Sequence, residues 1–419
     1  MSIIKELPGK MNVLIIALGH PDNILSLAYH LSQNVNLTVL FVMSGNKYRE
    51  GILDLDLSEL DYGLTWDPAK INKVFPEEVN AYIGDRFQLG ILKTYDNKLF
   101  KDKYLRNFRT VHKSIKHINR YKFDVIHING LSGFIFYIYF FLKVRKIYWT
   151  LHDYKPHSGE GTLWVRLGNR FLASRKKITI IQHYRYLKNA VINEFNLTAD
   201  RVAQIYSGRF SVYKAFSEKP IVKEQNYILF FGRISKYKGV DRLLEAFSRI
   251  REPSKKLIIA GSGDFWFDVN AYLNEHVILI NRYIETSELI YLIKHAAFVV
   301  VPYIDATHSA VINTAYTFDK PVLSSDVDGL SEVVNHNETG KLFDINDPEE
   351  LKNCLEWMSN DENLLKNFSA NIAGGSPRKL NWKTIVNDYV RLYSGTNTEY
   401  SIKGASPPYY PGHKKYSAD

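Results

Sequence analysis

The chain has 419 residues, with 54 Lys and Arg against 44 Asp and Glu, 14% aromatic side chains and a single cysteine, Cys354. That length exceeds what one hydrophobic core organises, so two domains are expected. A lone cysteine excludes an internal disulfide and the usual multi-thiolate zinc sites, and it suits a reducing cytosol.

No N-terminal stretch combines a charged start, an apolar run and a small-residue cleavage site, so no signal peptide is read. From residue 11 to 43 the pattern runs strand (NVLIIAL), helix (NILSLAYHLSQ), strand (NLTVLFVM), a βαβ opening. Residues 44–80 break that rhythm and predict an insertion near the site. An amphipathic helix over about 101–121 precedes a strand at 124–128; an aromatic helix, a strand at 146–151, another helix and a strand at 178–181 follow. The aromatic run 134–142 is too short to span a bilayer and is expected as a buried helix, so a soluble or peripheral protein is predicted. After a polar pause through Gln225, strands at 227–231, 256–260, 277–280, 298–301 and 321–324 alternate with helices starting near Val240, Phe265, Thr286, Ser309 and Leu330. This alternation predicts an α/β protein of two doubly wound Rossmann-like domains facing a cleft. The tail 396–419, rich in Ser, Pro, Gly and Tyr, is expected to be disordered.

The charge is lopsided. Residues 1–220 carry 32 basic against 19 acidic residues and the remainder 22 against 25, while residues 101–200 hold 19 against 6. Such a patch suits an anionic membrane face or nucleic acid, and equally a solvated basic surface. No nucleic-acid motif accompanies it.

Residues 226–247, NYILFFGRISKYKGVDRLLEAF, carry the sharpest chemical signal. An apolar strand stops at Gly232-Arg233 and a helix opens just after Lys238-Gly239. A strand ending at glycine that delivers two cations beside a helix start makes an anion site, and pyrophosphate is the anion most often so bound in α/β domains. A second element, PYIDATHSAVINTAY from Pro302 to Tyr316, ends a strand and opens a helix near Ser309, whose amides are positioned for an anion. The Asp-x-Asp triplets Asp54/Asp56 and Asp326/Asp328 are at the frequency expected by chance, and no metal site is read from them.

FGRISKYKGVDRLLEAF, LIIAGSGDF, VVVPY, KPVLSSDVDGLSEVV and TGKLFDINDPEEL, in this order, resemble the donor domain of the family 4 glycosyltransferases of the GT-B fold. DVIHING, YWTLHDYKPHSG and QIYSGRF extend the resemblance over about residues 11–394. It implies an acceptor-binding domain at 1–208, a nucleotide-sugar donor domain at 209–378 and a helix at 379–395 crossing back to the first domain. It implies retaining, metal-independent transfer of a hexose from a nucleoside-diphosphate sugar to a hydroxyl of a glycan or polyprenyl-diphosphate-linked acceptor. No cofactor beyond that donor is expected, and the location implied is cytoplasmic, at the inner membrane face.

By the same resemblance Arg233 and Lys238 hold the donor pyrophosphate, with Gly232 allowing close approach, and oppose the charge growing on the departing phosphate. His152, at a first-domain strand end, lies beside the reacting sugar, and His127 is structural. Tyr283 follows the strand where the base binds. The family's paired glutamates are replaced by Ala306 and Thr314. Asp305 is expected to supply a carboxylate, Ser309, Ala310 and Val311 amides to face phosphate and sugar, and Thr314 to reach ribose. Gly19-His20-Pro21 stands where the family has Gly-Gly, which puts close backbone approach there in question. Two alternatives remain: a nucleotide-sugar epimerase of the same architecture, and a non-catalytic sugar-nucleotide binding subunit.

Overall fold

The computed structural model describes residues 9–95, 101–130, 139–144, 146–152, 163–306 and 309–396. The tail from 397, most of the aromatic run 134–142, and Asp153 lie outside the described residues. Two sheets organise the chain. The first has eight strands in the spatial order Val202–Gln204, Ile178–Gln182, Lys146–Thr150, Val125–Asn129, Asn12–Ala17, Asn36–Ser44, Gln88–Thr94 and Gly63–Thr65. All neighbours are parallel except the last pair. The second has six parallel strands, Val277–Ile280, Leu257–Ala260, Tyr227–Phe231, Ala296–Val301, Val322–Ser325 and Gly340–Phe343.

The central strands are continuous apolar runs because helices cover both faces: Tyr227–Phe231 and Leu257–Ala260 are buried throughout. In each sheet the strand order reverses once. The reversal lies between Asn12–Ala17 and Val125–Asn129 in the first, and between Tyr227–Phe231 and Ala296–Val301 in the second. Crevices open at the carboxyl ends of strands at such reversals, which is where ligands bind in open α/β sheets.

The stretch 44–80 holds an antiparallel hairpin, Lys47–Glu50 with Leu53–Asp56, and two short helices, Pro68–Val74 and Glu77–Ile83. Lys93, 2% exposed, anchors the loop beyond the hairpin by donating to the Leu57 carbonyl at 2.6 Å and the Leu60 carbonyl at 2.8 Å. A helix was expected near Phe265, but that stretch is irregular and leads to a single 3₁₀ turn, Val269–Tyr272. There the Asp268 carboxylate takes the Asn270 N–H and substitutes for a helical start.

The last helix, Trp382–Ser394, returns to the first sheet. Ile385, Val386, Tyr389 and Tyr393 pack into the core that contains Val13, Ile15 and Ile24. The Tyr148 hydroxyl donates to the Leu392 carbonyl at 2.7 Å. Tyr393 meets His127 Nδ1 at 2.8 Å, and His127 Nε2 meets the Thr150 hydroxyl at 2.7 Å. His127 is thus a fully buried strut, and burial drives its pKa down to about 3.

The two lobes also touch directly. Asn313 of the second donates to the Gly208 carbonyl at 2.9 Å and the Ser207 carbonyl at 3.2 Å. Glu332 accepts the Arg185 and Tyr186 N–H groups at 2.8 Å each, capping a first-lobe helix, Arg185–Phe195. Far along the same junction, the Arg49 guanidinium lies 4.8 Å from the Tyr283 ring centroid.

Candidate active site

The strand Tyr227–Phe231 delivers Gly232 at a φ of 118°, a left-handed backbone that favours glycine. A methyl group there would sit 2.9 Å from Lys238 Nζ and 3.9 Å from Val311 Cγ2. Glycine therefore opens the space the ammonium occupies. Lys238 ends a short 3₁₀ turn, Lys236–Lys238, and Gly239, at a φ of 64°, starts the helix Val240–Ser248.

Lys238 is 9% exposed; its backbone N–H donates to the Ser235 carbonyl at 2.9 Å, and its ammonium makes no hydrogen bond or ion pair among the described residues. Its ammonium rests 5.0 Å from the Tyr303 ring centroid. Burial lowers its pKa, and the neighbouring Arg233 charge adds to that. Arg233 itself is exposed. A nearly buried cation facing a second cation is costly unless an anion joins them, which is the electrostatic signature of an anion seat.

The helix Ala310–Thr317 begins beside this seat with Ser309 as its cap residue. Val311 Cγ2 lies 3.9 Å from where a Gly232 methyl would sit, and Ala310 is exposed at the first turn. Burial raises the pKa of Tyr184 in the first lobe and the nearby Ser309 backbone opposes that rise, which places this helix start beside the facing lobe. Thr314 is buried and its hydroxyl donates to the Ala310 carbonyl at 2.8 Å, which commits its proton to its own helix. Ala306 is buried and Asp305 exposed in the turn before the helix. Tyr283, 42% exposed, lies beneath Arg49 on the loop after Val277–Ile280.

An interlobe cavity joins these elements to the first sheet. Its walls include His20, Asp22, His152, His183, Ser309, Ala310 and Asn313. His152 follows the strand Lys146–Thr150, and its Nε2 meets Asn129 Oδ1 at 2.9 Å at the end of the adjacent strand. Asn313 Oδ1 is buried without a hydrogen-bond partner among the described residues.

Residues 212–374 match the family model described as glycosyl transferases group 1. That match and the relatives below make the chain similar to the family 4-like glycosyltransferases. An uncharacterized glycosyltransferase of Methanocaldococcus jannaschii is 26% identical over 243 residues, covering 53% of this chain and 61% of that relative. A 41.2 kDa protein in the cps region of Klebsiella pneumoniae is 23% identical over 303 residues, 67% of this chain and 81% of its own. Among solved structures, sucrose-phosphate synthase from Thermosynechococcus elongatus superposes with a TM-score of 0.65 at 16% identity, covering 92% of this chain and 98% of that one. Anabaena HepE in complex with UDP-glucose does so with a TM-score of 0.61 at 15% identity, covering 92% and 100%. These neighbours give the chain the GT-B fold.

The structure brings Gly232, Lys238, Ser309, Ala310 and Val311 together, with Arg233 close enough to perturb Lys238. His152 lines the interlobe cavity opposite Ser309 and Ala310, whereas Gly232, Arg233, Lys238, Val311, Thr314, Tyr283 and Asp305 stand outside its walls. Sequence reasoning passed over His20, Asp22, His183 and Asn313 as cavity residues. The Gly19-His20-Pro21 departure was the available signal for the first two. His183 and Asn313 carry no local motif, and only the three-dimensional meeting of two lobes reveals them.

Proposed function

We propose that this glycosyltransferase moves a hexose from a nucleoside-diphosphate sugar to an acceptor hydroxyl with retention of configuration and without a metal. The observation that carries the reading is Lys238, a nearly buried ammonium with no anionic partner among the described residues, set beside Arg233 at a glycine-opened strand end. Two fixed cations would bind the donor diphosphate and oppose the charge that grows on it as the glycosidic bond breaks. The phosphate oxygen is then the base that takes the acceptor proton, and His152, held by Asn129, stabilises the sugar as it reacts. Exclusion of water by the two lobes limits hydrolysis.

Asp22 is the carboxylate lining the cavity that an epimerase reading would need. Its oxygens already accept from the Ile52 N–H at 2.8 Å and the Tyr213 hydroxyl at 2.9 Å, which supports a structural role. HepE was solved with UDP-glucose, and a uridine donor is the first choice to test here.

The acceptor we propose is a glycan or polyprenyl-diphosphate-linked sugar met at an anionic membrane face. No helix among the described residues is long and apolar enough to cross a membrane. Support for surface contact comes from Leu105 and Phe140, 62% and 61% exposed, within the basic stretch 101–200.

Thermal shifts with UDP-, GDP-, ADP- and TDP-sugars would identify the donor. Product configuration by NMR, with activity measured before and after EDTA, would test the chemistry. An inverted product or full loss of activity with EDTA refutes the mechanism, and donor binding without transfer to any acceptor favours a binding subunit.

A further inference from the structure

His20 occupies an unusual position. It caps the helix Pro21–Leu31 with φ 56° and ψ 53°, a left-handed conformation that glycine adopts freely and histidine adopts only at a cost. That conformation is held from outside the loop. The Glu50 carboxylate, delivered by the Lys47–Glu50 strand of the inserted hairpin, accepts the His20 N–H at 2.6 Å. The Tyr48 hydroxyl fixes the other Glu50 oxygen at 2.7 Å, and the Ile52 N–H ties the hairpin to Asp22 at 2.8 Å.

The result is a half-buried imidazole on the cavity wall, with its ring centroid 3.7 Å from that of His152 at an interplanar angle of 34°. Strain held in place by an inserted element, at a cavity wall, points to function. The chemistry of the wall then says what meets it. An uncapped helix N-terminus attracts anions, but here a carboxylate already sits on the His20 N–H and Asp22 occupies the first turn. This wall therefore disfavours the donor's phosphates, which have their own cationic seat on the opposite lobe. It favours a neutral partner bearing hydroxyl groups.

We propose that His20 is an acceptor-positioning residue, held in its left-handed turn by Glu50 and packed on His152 so that its ring hydrogen-bonds the acceptor sugar's hydroxyl. This rests on the transferase reading above and adds the first-lobe residue that orients the second substrate. No proton needs to move to His20; it aligns the hydroxyl for attack while the donor phosphate takes the proton.

The test uses the full chain and two variants, His20→Gly and His20→Asn, both of which tolerate the left-handed backbone. Nucleotide binding by the wild-type protein is measured first, because its failure with UDP, GDP, ADP and TDP alike overturns the transferase reading itself. With the binding nucleotide in place, n-octyl β-D-glucopyranoside serves as the acceptor probe. In wild-type protein labelled at histidine carbons, the signal assigned to the His20 ring should move on addition of the probe. Both variants should keep their nucleotide Kd within twofold and their Tm at or above wild type, while acceptor KM rises at least tenfold. A His20 signal that stays fixed with the probe, or variants whose acceptor KM matches wild type, overturns the proposal and leaves the diphosphate clamp standing.

Discussion

Replacing Lys238 by Met keeps most of the side chain's volume and removes its charge, so it separates what Lys238 does for folding from what it does for the ligand. Without ligand the ammonium is nearly buried, depressed in pKa by burial, and faces Arg233. Removing it relieves that cost, offset in part by loss of its contact with the Tyr303 ring at 5.0 Å. The free protein should therefore be unchanged or up to about 1 kcal/mol more stable, a Tm rise of roughly 2 °C at most. With a diphosphate bound the sign reverses. A unit charge about 4 Å from a phosphate oxygen, at an effective dielectric constant of about 20, contributes about 4 kcal/mol. Arg233 shares that load, so a loss of about 2–4 kcal/mol is expected, roughly 30-fold to 1000-fold in Kd. Calorimetric titration with UDP and a thermal scan of the free protein read both quantities. A variant that binds UDP like wild type, or that loses Tm with its affinity intact, would show Lys238 to be a structural residue and refute the reasoning.

Gly232→Ala places a methyl 2.9 Å from Lys238 Nζ at a φ of 118°. It should lower stability by roughly 1–3 kcal/mol and weaken UDP binding as well, read by the same two assays. His127, with its pKa driven down to about 3 by burial, should make the protein lose stability as pH falls below the unfolded value near 6.5. The unfolded chain takes the proton first, so by pH 5 the loss from this group is about 2 kcal/mol, and His127→Gln should flatten that part of the urea-denaturation profile; an unchanged profile would remove His127 from the acid response. Lys93→Met leaves the Leu57 and Leu60 carbonyls without their buried donor. It should cost about 2–3 kcal/mol and raise proteolysis within residues 44–80, while UDP binding is kept.

The parts of the proposed anion seat were legible because they are local. Gly232, Arg233, Lys238 and Gly239 lie within eight consecutive residues, and a strand that stops at glycine can be recognised from composition alone. Strand positions in both sheets were legible for the same reason, as short apolar runs between turn residues. Long-range arrangements were not. Nothing near Glu50 in sequence announces that its carboxylate will cap a loop 30 residues earlier, and nothing near Asn313 announces its bonds to Ser207 and Gly208. Gly19-His20-Pro21 stood out only as a departure; its meaning needed the left-handed φ and the His152 ring above it. The irregular stretch after Gly263 illustrates a further limit, since an Asp side chain there replaced the helical start that hydrophobic spacing suggested.

The central claim is that Lys238 and Arg233 together grip a diphosphate where the two lobes meet. A crystal structure of the protein with UDP tests it most directly. The account predicts phosphate oxygens within hydrogen-bond distance of Lys238 Nζ and the Arg233 guanidinium, over Gly232 and against the start of the helix Ala310–Thr317. UDP bound with its phosphates elsewhere, and Lys238 making no contact with them, would contradict it.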